Sequence, residues 1–256
     1  HGEMTDATSL GTMTRAPPHR TKHDSGGWAL WEKLAAEHPG FGNPAAFNSS
    51  IAESCWISFT VTQGNTRFFD HMESFTGNVA GTGGLVTFKD SSWLITLSIY
   101  HQPFFADQPE GVSVWWGYGL FHDRIGDYVK KRMVDCTGAE ILEEVLGHLH
   151  FSAADQAAVM AASTCIPCAM PYITSQFMVR TGKDRPKVVP AGSTNLAFLG
   201  QYAEQPDDVV FTVEYSVRCA MTAVYTLLKL DRTPPPVYKG LHSPQVIVDA
   251  IRTLHR

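Results

Sequence analysis

Two segments in the first half of the chain alternate apolar and mixed residues with a period of two, and this pattern restricts the fold more than any other. In residues 55–62 the odd positions are Cys, Ile, Phe and Val, and in residues 93–101 the first four odd positions are Trp, Ile, Leu and Ile. A strand places alternate side chains on opposite faces, so each segment predicts a half-buried strand. Residues 85–89 and 112–118 also predict strands. The first half therefore predicts a largely antiparallel sheet.

The second half carries helical patterns. Thr137 and Glu140 form a capping box, which satisfies the first free N–H groups of a helix. Behind it lies an apolar stripe at helical spacing: Ile141, Leu142, Val145, Leu146 and Leu149. The other predicted helices cover residues 28–38, 152 to about 163, 213–228, and 244 to the end. Together with the sheet, they predict a mixed α/β chain of the α+β class.

Length and composition exclude several classes of protein. The 256 residues are 44% apolar and 18% charged, which favours a folded globular protein over a disordered one. A net charge of −5 lacks the basic excess of a non-specific nucleic-acid binder. No apolar run reaches the roughly 18 residues of a membrane span. Five cysteines, an odd number, favour reduced thiols and a cytoplasmic location.

The start of the chain predicts a linker. Residues 1–27 are small and polar, with many Pro and Gly, and show no helical or strand period. The first residue is His1 and not Met. We therefore expect the chain to be a piece of a longer protein.

Three short motifs have both a chemical and a structural interpretation. Cys165 and Cys168 have redox-pair spacing, but the motif follows a predicted helix and has no second pair, so a structural role is favoured. His148 and His150 lie two apart on a predicted helix and cannot converge on one ion, so no metal site is predicted. The glycines of residues 77–84 do not match GxGxxG and favour a flexible turn.

A basic run lies in the second half of the chain. It contains Arg180, Lys183, Arg185 and Lys187. Such a run is typical of a solvated loop, and contact with a phosphate is the alternative.

A strand, a loop and a helix start are predicted near the C-terminus. Asn195–Gly200 reads as a short buried strand, residues 201–208 as a loop, and residues 210–212 as the beginning of the long helix. A helix N-terminus presents N–H groups and a positive dipole end, which suit a phosphate or an electron-rich ring edge. An ordinary strand-loop-helix connection fits the same pattern.

Several long segments of the chain resemble one enzyme family. They are GEMTDATSLGTM, FTGNVAGTGGLVTFKDSSWL, WGYGLF, CIPCAMPYITSQF and STNLAFLGQYAEQPDDVVFTVEYSVRCAMTAVYTLL. On these segments the chain resembles, from end to end, the C-terminal part of the oleate hydratases, which were first named myosin-cross-reactive antigens. The resemblance implies the C-terminal part of a flavoprotein, with residues 1–27 as a linker from the FAD domain, residues 28–190 as a substrate-binding segment, and residues 191–256 closing the FAD domain.

The resemblance also implies an activity and a cofactor. Oleate hydratases add water to the cis double bond of unsaturated fatty acids, giving 10-hydroxystearate from oleate, and they bind FAD although no net redox change occurs. The dinucleotide fingerprint, the carboxylate and the tyrosine credited with water activation and alkene protonation have no match here. We therefore expect no catalytic residue in this chain and no activity from the chain alone.

Site residues follow from the resemblance, position by position. The flavin contacts it implies are Gly200, Gln201, Val210, Phe211 and Thr212. The family positions that hold the substrate carboxylate fall on Ser98, Tyr100 and Phe104. Ser98 and Tyr100 keep a hydroxyl, whereas Phe104 cannot donate a hydrogen bond, which leaves open a different anchoring residue, such as His101, or a different substrate. The partners implied are an unsaturated fatty acid, a second copy of the chain and a loosely contacted membrane, with no nucleic acid.

Two other functions stay open at this stage. One is a fatty-acid-binding or flavin-binding module without catalysis, which would fold and bind by itself. The other is a remnant that depends on a partner, because loss of half of a nucleotide-binding domain exposes apolar surface.

Overall fold

Six strands form one sheet in the computed structural model of the protein, which describes residues 8–9 and 26–255. The strands are β1 (Thr8–Ser9), β2 (Trp56–Gln63), β3 (Val86–Thr87), β4 (Ile95–Ser98), β5 (Ser113–Gly119) and β6 (Ser163–Met170). Their order across the sheet is β1-β6-β2-β5-β4-β3, and every neighbouring pair is antiparallel. The predicted antiparallel sheet and the mixed α and β composition are therefore confirmed.

Eight α-helices lie in the described residues. They are α1 (Gly26–Glu37), α2 (Ala45–Asn48), α3 (Ile51–Ser54), α4 (Arg67–Thr76), α5 (Gly138–His148), α6 (Ala153–Ala161), α7 (Val213–Leu227) and α8 (Pro244–Leu254). All five predicted helices are present. Helix α4 is absent from the predicted helices, although Phe68, Phe69, Met72 and Phe75 lie at helical spacing in its ten residues.

Strand β2 lies in the middle of the sheet, and its apolar face forms the core. It pairs with β6 along all eight residues and with β5 along seven. Ile57, Phe59 and Val61 are completely buried, as their alternation predicts. Side chains of α4, α5 and α6 belong to the same apolar cluster. The Phe68 ring, for example, stacks on that of Trp115 with 4.0 Å between ring centroids.

Helix α5 begins at the predicted capping box. The Glu140 N–H donates to Thr137 Oγ1 at 3.2 Å, and the Thr137 N–H donates to Glu140 Oε2 at 2.8 Å. All five residues of its predicted stripe are buried. Capping and stripe together fix where the helix starts and which side faces the core.

The CxxC motif follows a helix, as predicted, and lies on a strand, which the sequence pattern did not predict. Helix α6 ends at Ala161, and Cys165 and Cys168 lie in β6, opposite Val61 and Ser58 of β2. Residues three apart on a strand point to opposite faces, so these thiols cannot pair with each other or share an ion. Burial also raises the pKa of both thiols. The structural interpretation of the motif is therefore favoured.

The strand predicted over Asn195–Gly200 is wrong. Of this segment only Phe198 is buried, and its N–H donates to the Val188 carbonyl at 2.8 Å. The neighbouring backbone includes Pro186 and Pro190, which have no N–H to donate. Without a continuous row of donors, the segment forms no strand.

The described residues group into two compact units. The first combines Phe47–Met178 with the described residues up to Leu30, and it contains the sheet. The second combines Trp31–Ala46 with the described residues from Val179 onward, and it contains α7 and α8. The predicted linker at 1–27 falls mostly outside the described residues. No helix in the described part of the chain is long and apolar enough to cross a bilayer.

We expect Thr137→Ala to lower the free energy of unfolding of the first unit by about 1 kcal/mol, because the first turn of α5 loses its cap. Urea denaturation followed by circular dichroism measures the change. Thr137→Ser keeps the hydroxyl and should unfold close to the parent chain. Equal stability of the alanine variant and the parent would contradict the role of the cap.

Candidate functional site

The predicted substrate residues lie at the end of β4. Ser98 is the last residue of the strand and is opposite Trp116 of β5. Tyr100 follows two residues later, and its ring stacks on that of Phe104 with 4.2 Å between centroids. Burial raises the pKa of Tyr100 above its ordinary value, and the phenol, which is protonated at neutral pH in any case, can donate a hydrogen bond. The structure thus places one rigidly stacked phenol and one hydroxyl near the same strand end.

Two glutamine side chains hold the loop that follows Tyr100. The Gln102 amide donates to the carbonyls of Tyr100 and Val114 at 3.1 and 2.8 Å. Gln108 Nε2 donates to Gln102 Oε1 at 2.9 Å, and Gln108 Oε1 accepts the Phe104 N–H at 2.9 Å. These bonds fix Phe104 under the Tyr100 ring. Gln108 had not been predicted as part of this site, because nothing in its spacing reveals the contact.

The glycine-rich loop packs against the same segment. The Gly81 N–H donates to the Ile99 carbonyl at 3.0 Å, and its φ is +83°. A Cβ on Gly81 would lie 2.6 Å from the backbone N of His101, so only glycine fits without movement. The predicted turn is thereby confirmed.

A cavity of about 110 Å³ lies between this loop, α4 and the end of β4. Its lining is largely apolar and includes Met72, Val79, Leu85, Val86 and Ile99. Ser98 and Tyr100 do not line it. The cavity can take an apolar group, and the two hydroxyl residues lie on either side of Ile99 in the sequence.

The predicted flavin residues lie around the start of α7, in the second unit. Thr212 is the N-cap of α7: its hydroxyl accepts the Tyr215 N–H at 3.2 Å and donates to the Val209 carbonyl at 3.1 Å. Phe211 has a φ of +88° and is 56% exposed. A non-glycine residue in this region costs on the order of 1–3 kcal/mol and is most frequent at functional sites.

Gly200 lies beside the first turns of the same helix. Its carbonyl accepts from the Cys219 thiol at 3.6 Å, and its φ is +83°. A Cβ built on Gly200 would find only Ser216 Oγ, at 4.0 Å. There is consequently open space above Gly200, next to the N-terminal half of α7. Gly200 therefore lies close to the first turns of α7.

The loop between Gly200 and α7 is held from both sides. The Tyr215 hydroxyl donates to the Ala203 carbonyl at 2.6 Å, and Arg185 Nε donates to the Gln201 carbonyl at 3.0 Å. Arg185 is buried, so this member of the basic run supports the loop and is not presented to a phosphate. Arg218 pairs with Asp208 at 2.7 Å. These contacts keep Gln201 and residues 210–212 in fixed positions.

Comparison with known proteins gives a consistent result. Residues 1–225 match the MCRA family. The chain is 40% identical over 267 aligned residues to an oleate hydratase of Streptococcus pyogenes serotype M49 (strain NZ131), with 100% of this chain and 45% of the relative covered. It is 30% identical over 241 residues to a linoleate hydratase of Lactiplantibacillus plantarum, with 88% of this chain and 42% of that relative covered. The chain thus spans less than half the length of these relatives.

We expect Gly81→Ala to destabilise the first unit more than Gly77→Ala. Both glycines have a positive φ, so both variants lose about 1 kcal/mol through backbone strain. At Gly77 the new methyl group meets open space, whereas at Gly81 it clashes with the backbone of His101, which adds about 1–3 kcal/mol. Urea denaturation of both variants measures the difference, and equal losses would contradict the close approach at Gly81.

Proposed function

Because the chain belongs to the MCRA family, we propose that it is the C-terminal part of an FAD-dependent oleate hydratase. The proposed reaction adds water to the cis double bond of an unsaturated fatty acid, as in oleate to 10-hydroxystearate. The chain contributes contacts to the flavin and one wall of the fatty-acid tunnel. The observation that carries the proposal is the 40% identity over the whole chain to an oleate hydratase.

The flavin contacts are assigned to Gly200, Gln201, Val210, Phe211 and Thr212. The space above Gly200 would admit a ring edge that a larger residue would block. The positive end of the α7 dipole lies at Thr212 and would favour the electron-rich side of the ring. When bound, FAD would order or polarise the site, without a net transfer of electrons. The absence of a strand at Asn195–Gly200 does not remove these contacts, since they depend on the turn and on α7.

The carboxylate of the fatty acid is assigned to Ser98 and Tyr100. Each hydroxyl would donate one hydrogen bond, since both keep their protons at neutral pH. Phe104 donates nothing itself, but it holds the Tyr100 ring by stacking. Because Phe104 has no hydrogen-bond donor in its side chain, only Ser98 and Tyr100 of the three assigned positions can donate to the carboxylate.

Only a short part of the acyl chain, away from its carboxylate, is assigned to the apolar cavity of about 110 Å³ beside Ile99, because Ser98 and Tyr100 do not line this cavity. Met72, Val79 and Leu85 would contact methylene groups there and exclude water from them. No acid or base is assigned to the described residues, so the chain binds and orients the substrate and does not move the protons of the hydration.

A second candidate function is a binding module without chemistry. It is favoured by the single buried apolar cluster of the first unit, which joins the sheet to α4, α5 and α6. Calorimetry with oleate separates the two, because a module binds oleate tightly by itself and a wall of a larger tunnel does not.

A chimera tests the proposal directly. In it, this chain replaces the aligned segment of the Streptococcus pyogenes oleate hydratase. We expect the chimera to convert oleate to 10-hydroxystearate, measured by mass spectrometry, and the chain alone to give no product even with FAD. Product from the chain alone would show that an acid and a base lie within it, and a folded, FAD-loaded but inactive chimera would contradict the proposed function.

Variants of the chimera test the carboxylate contact. Tyr100→Phe keeps the stacked ring and removes one hydrogen bond to a charged group, worth about 1.5–3 kcal/mol, so KM should rise about tenfold or more while kcat changes little. The exposed Tyr238 provides the matched control, Tyr238→Phe, which should leave KM unchanged. An unchanged KM in Tyr100→Phe would remove Tyr100 from the substrate site.

Gly200→Val tests the flavin contact in the same chimera. The isopropyl group would fill the space above the backbone, and we expect FAD affinity to fall at least tenfold, measured by flavin fluorescence. Gly192→Val is the matched control, because Gly192 also has a positive φ, of +85°, and open space around it. Equal FAD affinity in the two variants would show that Gly200 does not contact the flavin.

A further inference from the structure

Three side chains of the first unit bring one potential ligand atom each to a common point. Glu144 and His148 lie one turn apart on α5, and Asp127 lies in the loop between β5 and α5. His148 Nε2 is 3.3 Å from Asp127 Oδ2 and 3.4 Å from Glu144 Oε1. The three ligand atoms lie within 4.8 Å of one another. None of these residues is assigned to the flavin or to the fatty acid.

Both carboxylates are fixed by backbone and hydroxyl donors. Glu144 is completely buried and accepts the N–H groups of Asp127, Tyr128 and Val129 at 2.5–2.9 Å. Asp127 accepts the N–H and the hydroxyl of Ser92 at 2.7 and 2.6 Å. The oxygens are therefore positioned independently of any bond to His148.

The same donors keep both groups ionised. Burial would raise the pKa of Asp127, but the two bonds from Ser92 outweigh it, and the pKa is lowered. Burial would likewise raise the pKa of Glu144, but the nearby His148 imidazole and three N–H groups outweigh it. Two negative charges thus lie close together, with one of them wholly out of solvent.

The distances to His148 fit an ion better than a hydrogen bond. Charge-assisted hydrogen bonds are about 2.7–2.9 Å long, shorter than either distance here. Ligand atoms bound to zinc at about 2.0–2.1 Å in a tetrahedron lie about 3.3–3.4 Å apart. His148 Nε2 is buried and, at 3.3 and 3.4 Å from the two carboxylate oxygens, forms no well-aligned hydrogen bond with a described residue. These two distances are those expected between ligand atoms of one ion, and the two carboxylate oxygens lie within 4.8 Å of each other.

The imidazole is also held in place without an ion. It stacks on Phe88 with 5.7 Å between ring centroids, and the Tyr128 ring packs against it edge to face at 5.0 Å. On its outer side lies an open hollow of about 630 Å³, lined by residues that include Asp127, His148 and the exposed His150. An ion can enter from this hollow, and water can complete its coordination.

We propose that Asp127, Glu144 and His148 bind a divalent transition-metal ion of the zinc class. One imidazole and two carboxylates suit zinc or a neighbouring first-row metal better than calcium or magnesium, which prefer oxygen ligands alone. The dication compensates both carboxylates and ties α5 to the loop at Asp127.

Metal titration of the whole chain tests the site. The chain is treated with EDTA, dialysed and titrated with ZnCl₂ by calorimetry, and its thermal midpoint is measured with and without Zn²⁺. We expect one Zn²⁺ per chain and a rise of Tm on the order of 5 °C when free Zn²⁺ exceeds Kd a hundredfold. Ca²⁺ and Mg²⁺ should give no comparable rise.

Variants separate this site from casual binding to surface histidines. His148→Gln and Asp127→Asn should each weaken Zn²⁺ binding at least a hundredfold, whereas His150→Gln, in the same hollow, should change it less than threefold. Circular dichroism of the metal-free variants checks that they fold. If His148→Gln does not fold, Asp127→Asn alone provides the test. No stoichiometric uptake by the parent chain, or unchanged affinity in the folded variants, would overturn the proposal. Neither result depends on FAD or oleate. The outcome of the zinc titration is therefore independent of the test of the proposed hydratase function.

Discussion

The pairing of β2 with two neighbours is the interaction on which the first unit depends. Both sides of β2 are hydrogen-bonded to neighbouring strands. Alternate side chains of β2, namely Ile57, Phe59 and Val61, are buried on one face of the sheet. Helices α4, α5 and α6 all supply side chains to the layer that covers this side. The end of β4, the glycine-rich loop and the Asp127 loop are then placed by elements that rest on this layer. The candidate sites of this unit are therefore consequences of the sheet.

Sequence patterns predict those parts of the fold that local chemistry decides. The alternation of residues 55–62 predicts β2, and the capping box predicts the first residue of α5. Where contacts with residues distant in sequence decide whether a segment forms a strand, the local pattern does not predict the outcome. Residues 163–170 became a strand because β2 offers a full ladder, whereas Asn195–Gly200 did not because Pro186 and Pro190 interrupt the row of donors beside it.

The candidate sites divide in the same way. Thr212 as a helix cap and the tight turn at Gly81 could be predicted from residue type. The stacking of Tyr100 on Phe104 and the glutamine pair that holds it depend on the path of the loop, which no spacing rule describes. Glu144 and His148 share a helix face at four-residue spacing, a signal that the sequence does contain. Their third partner, Asp127, lies 17 residues before Glu144 and reaches them only through the path of the loop before α5. Residue spacing therefore does not predict the proposed metal site.

The burial of the thiols has a practical consequence. All five cysteines are unpaired, and burial raises the pKa of each, to about 12 for Cys55 and Cys136. Iodoacetamide reacts with exposed thiolate, so the native chain should be alkylated very slowly at neutral pH. Four of these thiols belong to the first unit and Cys219 to the second. Pulsed alkylation followed by peptide mass analysis would therefore report separately on the opening of each unit, with no probe added to the chain.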